Sequence, residues 1–220
     1  MRLIQRPSPN HDERTAPVDM LVLHYTGMAS GQGALDRLCD PDAKVSAHYT
    51  IDEDGTIYAH VAEDRRAWHA GLSHWAGVDD VNARSIGIEL VNPGHEYGYR
   101  AFPDAQITAL IALSRDILAR HAIAPSRVLA HSDVAPARKE DPGELFPWQK
   151  LADEGIGLWP QASQSDIGTD ALTRYGYDPN ALLDKVIIAF QRHFRPAKLD
   201  GKWDAECAGL LASLLNKIGN

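Results

Sequence analysis

Four residues of this chain could share one piece of chemistry. His24 closes the apolar run MLVLHYT, His131 closes RVLAHSD, Asp141 follows in RKEDPG, and Glu89 lies within SIGIELVN. Two imidazoles and a carboxylate form the three-ligand set of a catalytic zinc, which leaves one position for water. A carboxylate among Ile86, Ile88 and Leu90 is costly to bury unpaired, and a wet cavity beside a cation would supply its partner. Glu89 is therefore the natural acceptor for that water's proton. Structural zinc favours four protein ligands rich in cysteine, and neither Cys39 nor Cys207 lies near this set. Each residue alone has a plainer reading: a hydrogen-bonded core histidine, a loop aspartate, a salt-bridged glutamate. Their joint occurrence at strand ends favours chemistry.

The flanking sequence predicts how they are positioned. Met20 to Tyr25 is apolar on both faces, as in a central strand. Ser85 to Val91 is a second strand, with Ile86, Ile88 and Leu90 on one face and Gly87 and Glu89 on the other. Val128 to His131 is a third. SAHYTIDEDGTIYAHV reads as a hairpin turning at Asp54-Gly55, and Pro103-Asp104 opens a long helix striped by Ile107, Leu110, Ile111, Ile117 and Leu118. Strands and helices mix without a regular βαβ repeat, which predicts an α/β fold with a mixed central β-sheet flanked by helices.

The 220 residues carry a net charge of −8 and no long basic run, which argues against nucleic acid and anionic membrane as partners. The two cysteines, far apart in sequence, read as free thiols. Residues 1–17 are polar and proline-containing, and are expected to form an irregular arm. They hold no apolar signal core, and the chain holds no transmembrane span, so a cytoplasmic location is expected unless a leader has been removed. After Trp159-Pro160 the stretch QASQSDIGTD reads as a linker. Beyond it, Leu182, Leu183, Val186, Ile187, Phe190 and Phe194 mark one amphipathic helix, and Leu210, Leu211, Leu214 and Ile218 another with Asp204 as N-cap. A segment this small has little core of its own and is expected to pack on the main domain.

LVLHYT, SAHYTIDEDGTIY, RRAWHAG, NARSIGIEL and AHSDVAPARKEDPG, in this order, resemble the zinc-dependent N-acetylmuramoyl-L-alanine amidases of the AmpD/AmiD type, which share their fold with peptidoglycan recognition proteins. The resemblance covers roughly residues 18–160, the expected amidase domain. Residues 161–220 hold VIIAFQRHFRP and LDGKWD, similar to a helical peptidoglycan-binding module, a pairing closer to AmiD than to AmpD. The resemblance implies Zn2+ held by His24, His131 and Asp141, with Glu89 as catalytic acid and Lys139 as the basic group that stabilises the transition state. It places His69, Asn82 and Arg138 near the substrate, while Trp68 could line a sugar-peptide groove. Where AmpD has an arginine near the peptide carboxylate, this chain has Asp80 at about that place. The implied reaction cleaves the amide between N-acetylmuramic acid, or its 1,6-anhydro form, and L-alanine. Peptidoglycan fragments or muropeptides are the expected partners, and the chain is expected to act as a monomer. The rival readings are a non-catalytic peptidoglycan-recognition protein, a phage-type endolysin and a zinc peptidase.

Overall fold

The apolar runs pair side by side, as strands buried on both faces must. In the computed structural model, which describes residues 2–219, the elements in chain order are β1 (Leu3–Gln5), β2 (His11–Glu13), β3 (Met20–Tyr25), α1 (Gly31–Cys39), β4 (Tyr49–Ile51), β5 (Ile57–Ala59), β6 (Arg65–Ala67), α2 (Val81–Arg84), β7 (Ser85–Leu90), α3 (Gly94–Tyr97), α4 (Asp104–Arg120), β8 (Val128–Ala130), α5 (His131–Val134), α6 (Trp148–Asp153), α7 (Ala171–Tyr175), α8 (Leu183–Phe194) and α9 (Ala205–Ile218). The main sheet has the order β1-β5-β4-β7-β3-β8. The hairpin β4–β5 is antiparallel, while β4, β7, β3 and β8 run parallel. The expected mixed sheet flanked by helices is the observed fold.

Side-chain alternation divides β3 between two cores. Leu21 and Leu23 join Ile86, Ile88 and Leu90 beneath α4, whose Ile107, Leu110, Leu113 and Ile117 cover that face. Met20 and Val22 face the other way, into a cluster with Leu129, Val134 and Trp75. That second core is closed by the C-terminal segment: Leu172, Val186, Phe190, Phe194, Leu211 and Leu214 belong to the same cluster. The segment after residue 160, expected to pack on the main domain, covers one face of the sheet.

Helix termini follow local chemistry. Asp204 caps α9 as expected, accepting from the Cys207 amide at 3.1 Å. α1 begins at Gly31, ahead of the expected ALDRLC, because Ser30 Oγ accepts from the Gly33 amide and caps it there. Leu182 and Leu183, read as part of the stripe of α8, are exposed, since the chain enters the helix at their level.

The arm expected to be irregular supplies two strands. β1 pairs parallel with β5, and β2 pairs antiparallel with β6 in a second, two-stranded sheet. Arg14 then anchors the arm: its guanidinium donates to the carbonyls of Glu63, Arg65, Asn82, Ala83 and Ser85.

A polar staple ties α4 to the hairpin. Glu63 accepts from Tyr49 Oη at 2.7 Å, Arg120 Nη2 at 2.7 Å and His121 Nε2 at 2.7 Å. Burial works against ionisation of Glu63, but these hydrogen bonds outweigh it and hold the carboxyl down at about 2. An unfolded glutamate titrates near ~4.3, so the folded state binds the proton more weakly. The resulting stability is fully present above the unfolded value and is lost as pH falls toward the folded one. Glu63→Gln should cost about 1–3 kcal/mol at neutral pH, allowing for solvent screening, and far less near the folded pKa. Urea unfolding at both pH values tests this; equal losses would refute it.

Candidate active site

Three parallel strands, β7, β3 and β8, bring their C-terminal ends together, the place where open α/β sheets gather ligands. β3 lies between β7 and β8. Its His24 is in register with Glu89 of β7, and β8 runs directly into His131, the first residue of α5. His24 shares its face of β3 with Met20 and Val22, so the site opens on the side covered further back by the C-terminal helices. Asp141 returns to the same point, because the Ser132 amide in α5 donates to its carbonyl at 3.0 Å.

The three side chains converge. His24 Nδ1 lies 2.9 Å from His131 Nδ1 and 3.1 Å from Asp141 Oδ2, and His131 Nδ1 lies 3.0 Å from the same oxygen. All three residues are buried. Among the described residues this is the set of histidines and carboxylates close enough to share a metal ion, with its ligand atoms within 4.8 Å of one another.

Partners behind the rings fix which nitrogens face the site. His131 Nε2 lies 3.1 Å from the Ala70 carbonyl, which can only accept, so Nε2 carries the proton and Nδ1 presents its lone pair. His24 is set by a longer relay. Ser85 Oγ donates to the Val81 carbonyl at 2.7 Å and accepts from His69 Nε2 at 3.1 Å. His69 Nδ1 is then an acceptor, and receives His24 Nε2–H at 3.0 Å. His24 Nδ1 is left as a lone pair aimed at His131 and Asp141. Such rear partners fix tautomer and ring orientation at metal-binding histidines.

Electrostatics favour the ligating forms of His24 and Asp141. Burial, then the neighbouring His131, push the His24 imidazole down to about 4, and burial drives His69 well below its ordinary range. Burial alone would raise Asp141, but His131 and His24 hold its carboxyl well below the usual carboxylate range. Glu89 goes the other way: burial first, then the charge of Asp141, push it well above the ordinary value against a smaller opposing effect of Lys139. Its Oε2 has no hydrogen-bond partner among the described residues.

A cleft of about 380 Å³ opens over these groups, with Glu89, His131 and Asp141 in its lining and Trp68, Arg138 and Lys139 around it. Trp68 donates through Nε1 to Asp12 Oδ2 at 2.7 Å. Arg138 Nη2 donates to the carbonyls of Ala70 and Leu72, which ties the loop between β6 and α2 to the cleft rim. His69 also lines the cleft, but both its ring nitrogens are engaged, by His24 and Ser85. Asn82 is buried behind the site and accepts from the His69 and Ala70 amides at 3.1 and 2.8 Å, so it holds the segment after β6 that carries both rear partners. Asp80 caps α2 and pairs with Arg66 at 2.9 Å. Gly87 is required where it stands: a Cβ there would sit 2.4 Å from the His69 ring. Reasoning from sequence missed Ser85 and the Ala70 carbonyl. The only trace of Ser85 is that it lies two and four residues before Gly87 and Glu89, on their face of the strand.

Two imidazole nitrogens and a carboxylate oxygen converging at the floor of a cleft, beside a buried carboxyl, form a group that could hold a metal ion. The family profile for N-acetylmuramoyl-L-alanine amidase (Amidase_2) matches residues 14–144, and the chain belongs to that family. It is similar to AmiD of Escherichia coli, with 40% identity over 234 residues, 92% of this chain and 84% of that protein. It is also 36% identical over 166 residues to the 1,6-anhydro-N-acetylmuramyl-L-alanine amidase AmpD of Salmonella typhimurium, over 66% of this chain and 86% of that one. Among solved structures, E. coli AmiD with anhydro-N-acetylmuramic acid-L-Ala-D-gamma-Glu-L-Lys matches with a TM-score of 0.82 over 94% of this chain and 93% of that one. AmpDH3 of Pseudomonas aeruginosa with an anhydromuramic pentapeptide matches at 34% identity and a TM-score of 0.84, over 97% and 96%. The enzyme class expected from the sequence, an N-acetylmuramoyl-L-alanine amidase, is that of the family. No helix among the described residues is long and apolar enough to cross a membrane.

Proposed function

We propose that this chain holds zinc through His24 Nδ1, His131 Nδ1 and Asp141, and cleaves the lactyl–L-alanine amide of muropeptides, the 1,6-anhydro form included, as a monomer in cell-wall recycling or remodelling. One observation supports this above the others: three lone-pair donors converge with their rear partners already satisfied, beside a carboxyl with an unpartnered oxygen. Two nitrogens and one oxygen suit zinc, whereas calcium and magnesium prefer oxygen sets. When bound, the ion would supply an electrophile and a means of acidifying water to a pKa of ~7.

The remaining work falls to this chain's side chains. Glu89 takes a proton from the attacking water as the new C–O bond forms. It returns that proton to the alanine nitrogen as the C–N bond breaks, leaving the lactyl carboxylate and a free amine. Lys139, at the cleft rim, donates toward the oxygen on which charge develops. Trp68 and Arg138 shape the groove, while His69 and Asn82 act from behind the donor set. Any hold of residues 161–220 on glycan must use their solvent face, since their apolar face is committed to the sheet. The solved complexes of AmiD and AmpDH3 with anhydromuropeptides support the choice of substrate.

Incubation with defined anhydro- and non-anhydro-muropeptides tests the reading, with products resolved by mass spectrometry. The expected products are the free sugar acid and an intact stem peptide. Dialysis against a strong chelator should abolish the reaction and added zinc should restore it. Cleavage within the stem peptide, or full activity in metal-free protein, would overturn the proposal.

A further inference from the structure

The turn that carries His131 and holds Asp141 is gripped by the C-terminal segment. α5 begins with His131, and its Ser132 amide holds the Asp141 carbonyl. The third residue of that turn, Asp133, is 1% exposed. Its Oδ2 accepts from the Ala130 amide at 2.8 Å, closing the strand-to-helix corner in front of His131. Two further donors arrive from far along the chain: Tyr177 Oη reaches Asp133 Oδ1 at 2.8 Å, and His193 Nδ1 of α8 reaches Oδ2 at 2.7 Å. Burial, then the Asp133 charge, push the Tyr177 hydroxyl well above its ordinary range, so it remains a proton donor. His193 is fixed in turn by stacking on Trp148, with ring centroids 3.7 Å apart.

A carboxylate this deeply buried needs all of these donors. Tyr177 and His193 lie outside residues 14–144, the stretch that matches the family profile. We propose that Asp133 is a positioning residue for the metal site, and that Tyr177 and His193 lock it, so that the C-terminal segment completes the ligand geometry of an amidase site otherwise built from residues 24–141. The segment acts on His131 directly through the α5 turn and on Asp141 through the Ser132 amide. This inference rests on the zinc reading given above. A sub-ångström shift in a ligand-bearing turn is enough to matter, because outer partners of metal ligands are worth about 10–100-fold in affinity.

The test compares Tyr177→Phe and His193→Gln with Ile187→Val, a change in the same helical core that touches none of these hydrogen bonds. Zinc affinity of the full chain is measured by competition with a chromophoric chelator, alongside the thermal stability of the metal-free protein and kcat and KM on an anhydromuropeptide. The expected result is zinc affinity lowered about tenfold or more in both lock variants. kcat should fall with it at subsaturating zinc, KM should be nearly unchanged, and Ile187→Val should bind zinc as the parent does at a comparable loss of stability. Parent-like zinc affinity in both lock variants would overturn the inference while leaving the zinc reading intact. So would zinc affinities that follow thermal stability across all three variants. A parent chain that binds no zinc would overturn both.

Discussion

Replacing Glu89 by glutamine should lower kcat by about 10²–10⁴-fold while leaving zinc content unchanged. Glutamine preserves the shape of the side chain and can neither accept nor return the proton. Glu89 is not one of the convergent donors, so metal retention is expected, and zinc analysis of the purified variant checks it. A second, less intuitive expectation accompanies the first. In the metal-free protein Glu89 holds its proton more tightly than an unfolded glutamate does, because burial and Asp141 penalise the ionised form. A group of this sign costs stability as pH rises through the unfolded value toward the folded one. Glu89→Gln removes that cost, so at neutral pH the metal-free variant should be at least as heat-stable as its parent. Activity falling by orders of magnitude with undiminished stability is the mark of a group retained for chemistry at the expense of packing. A kcat within tenfold of the parent would remove Glu89 from the proton-transfer role.

The central part of the site was legible because strand chemistry is local. His24 and His131 stand where apolar runs stop, and Glu89 is a carboxylate on the face of β7 opposite Ile86, Ile88 and Leu90, at a position whose register neighbour on β3 is His24. Period-two patterning thus conveys both the buried face and its exception. What it does not convey is pairing with distant groups. His69 and Asn82 read as residues near the substrate; His69 lines the cleft with its ring bonded to His24 and Ser85, and Asn82 Oδ1 accepts from the His69 and Ala70 amides, tertiary hydrogen bonds that the segment WHAG does not encode. The arm was misread for a related reason. LIQ and HDE are too short to show alternation, and their strands exist through ladder partners and the five carbonyls around Arg14. The stripes of α8 and α9 announced that something apolar covers them. They could not announce that it is the second face of the amidase sheet, because an amphipathic helix specifies burial and not its counterpart.

That shared core makes the second large prediction, and it runs against treating residues 161–220 as a detachable module. A chain ended after Pro160 would present Met20, Val22, Trp75, Val81, Leu129 and Val134 to water on the face now closed by α7, α8 and α9. Each large apolar side chain fully buried is worth about 1.5–3 kcal/mol, so the uncovered set amounts to on the order of 10 kcal/mol. The whole stability of a domain is only about 5–15 kcal/mol. The truncation also strips Asp133 of Tyr177 and His193, leaving a buried carboxylate short of donors beneath the metal-site turn. The 1–160 fragment should therefore lack a cooperative thermal transition, bind a hydrophobic dye, and show no amidase activity even on small muropeptides that need no glycan anchor. Small substrates make the test decisive, because loss of a purely glycan-binding module would spare them and impair only the digestion of intact sacculi. Separately expressed residues 161–220 should restore zinc binding and turnover when refolded with the fragment, as the missing half of one core. A fragment that melts cooperatively and cleaves soluble muropeptides at the parent rate would mean that the sheet face is self-sufficient and that the C-terminal helices lie on it without supporting it.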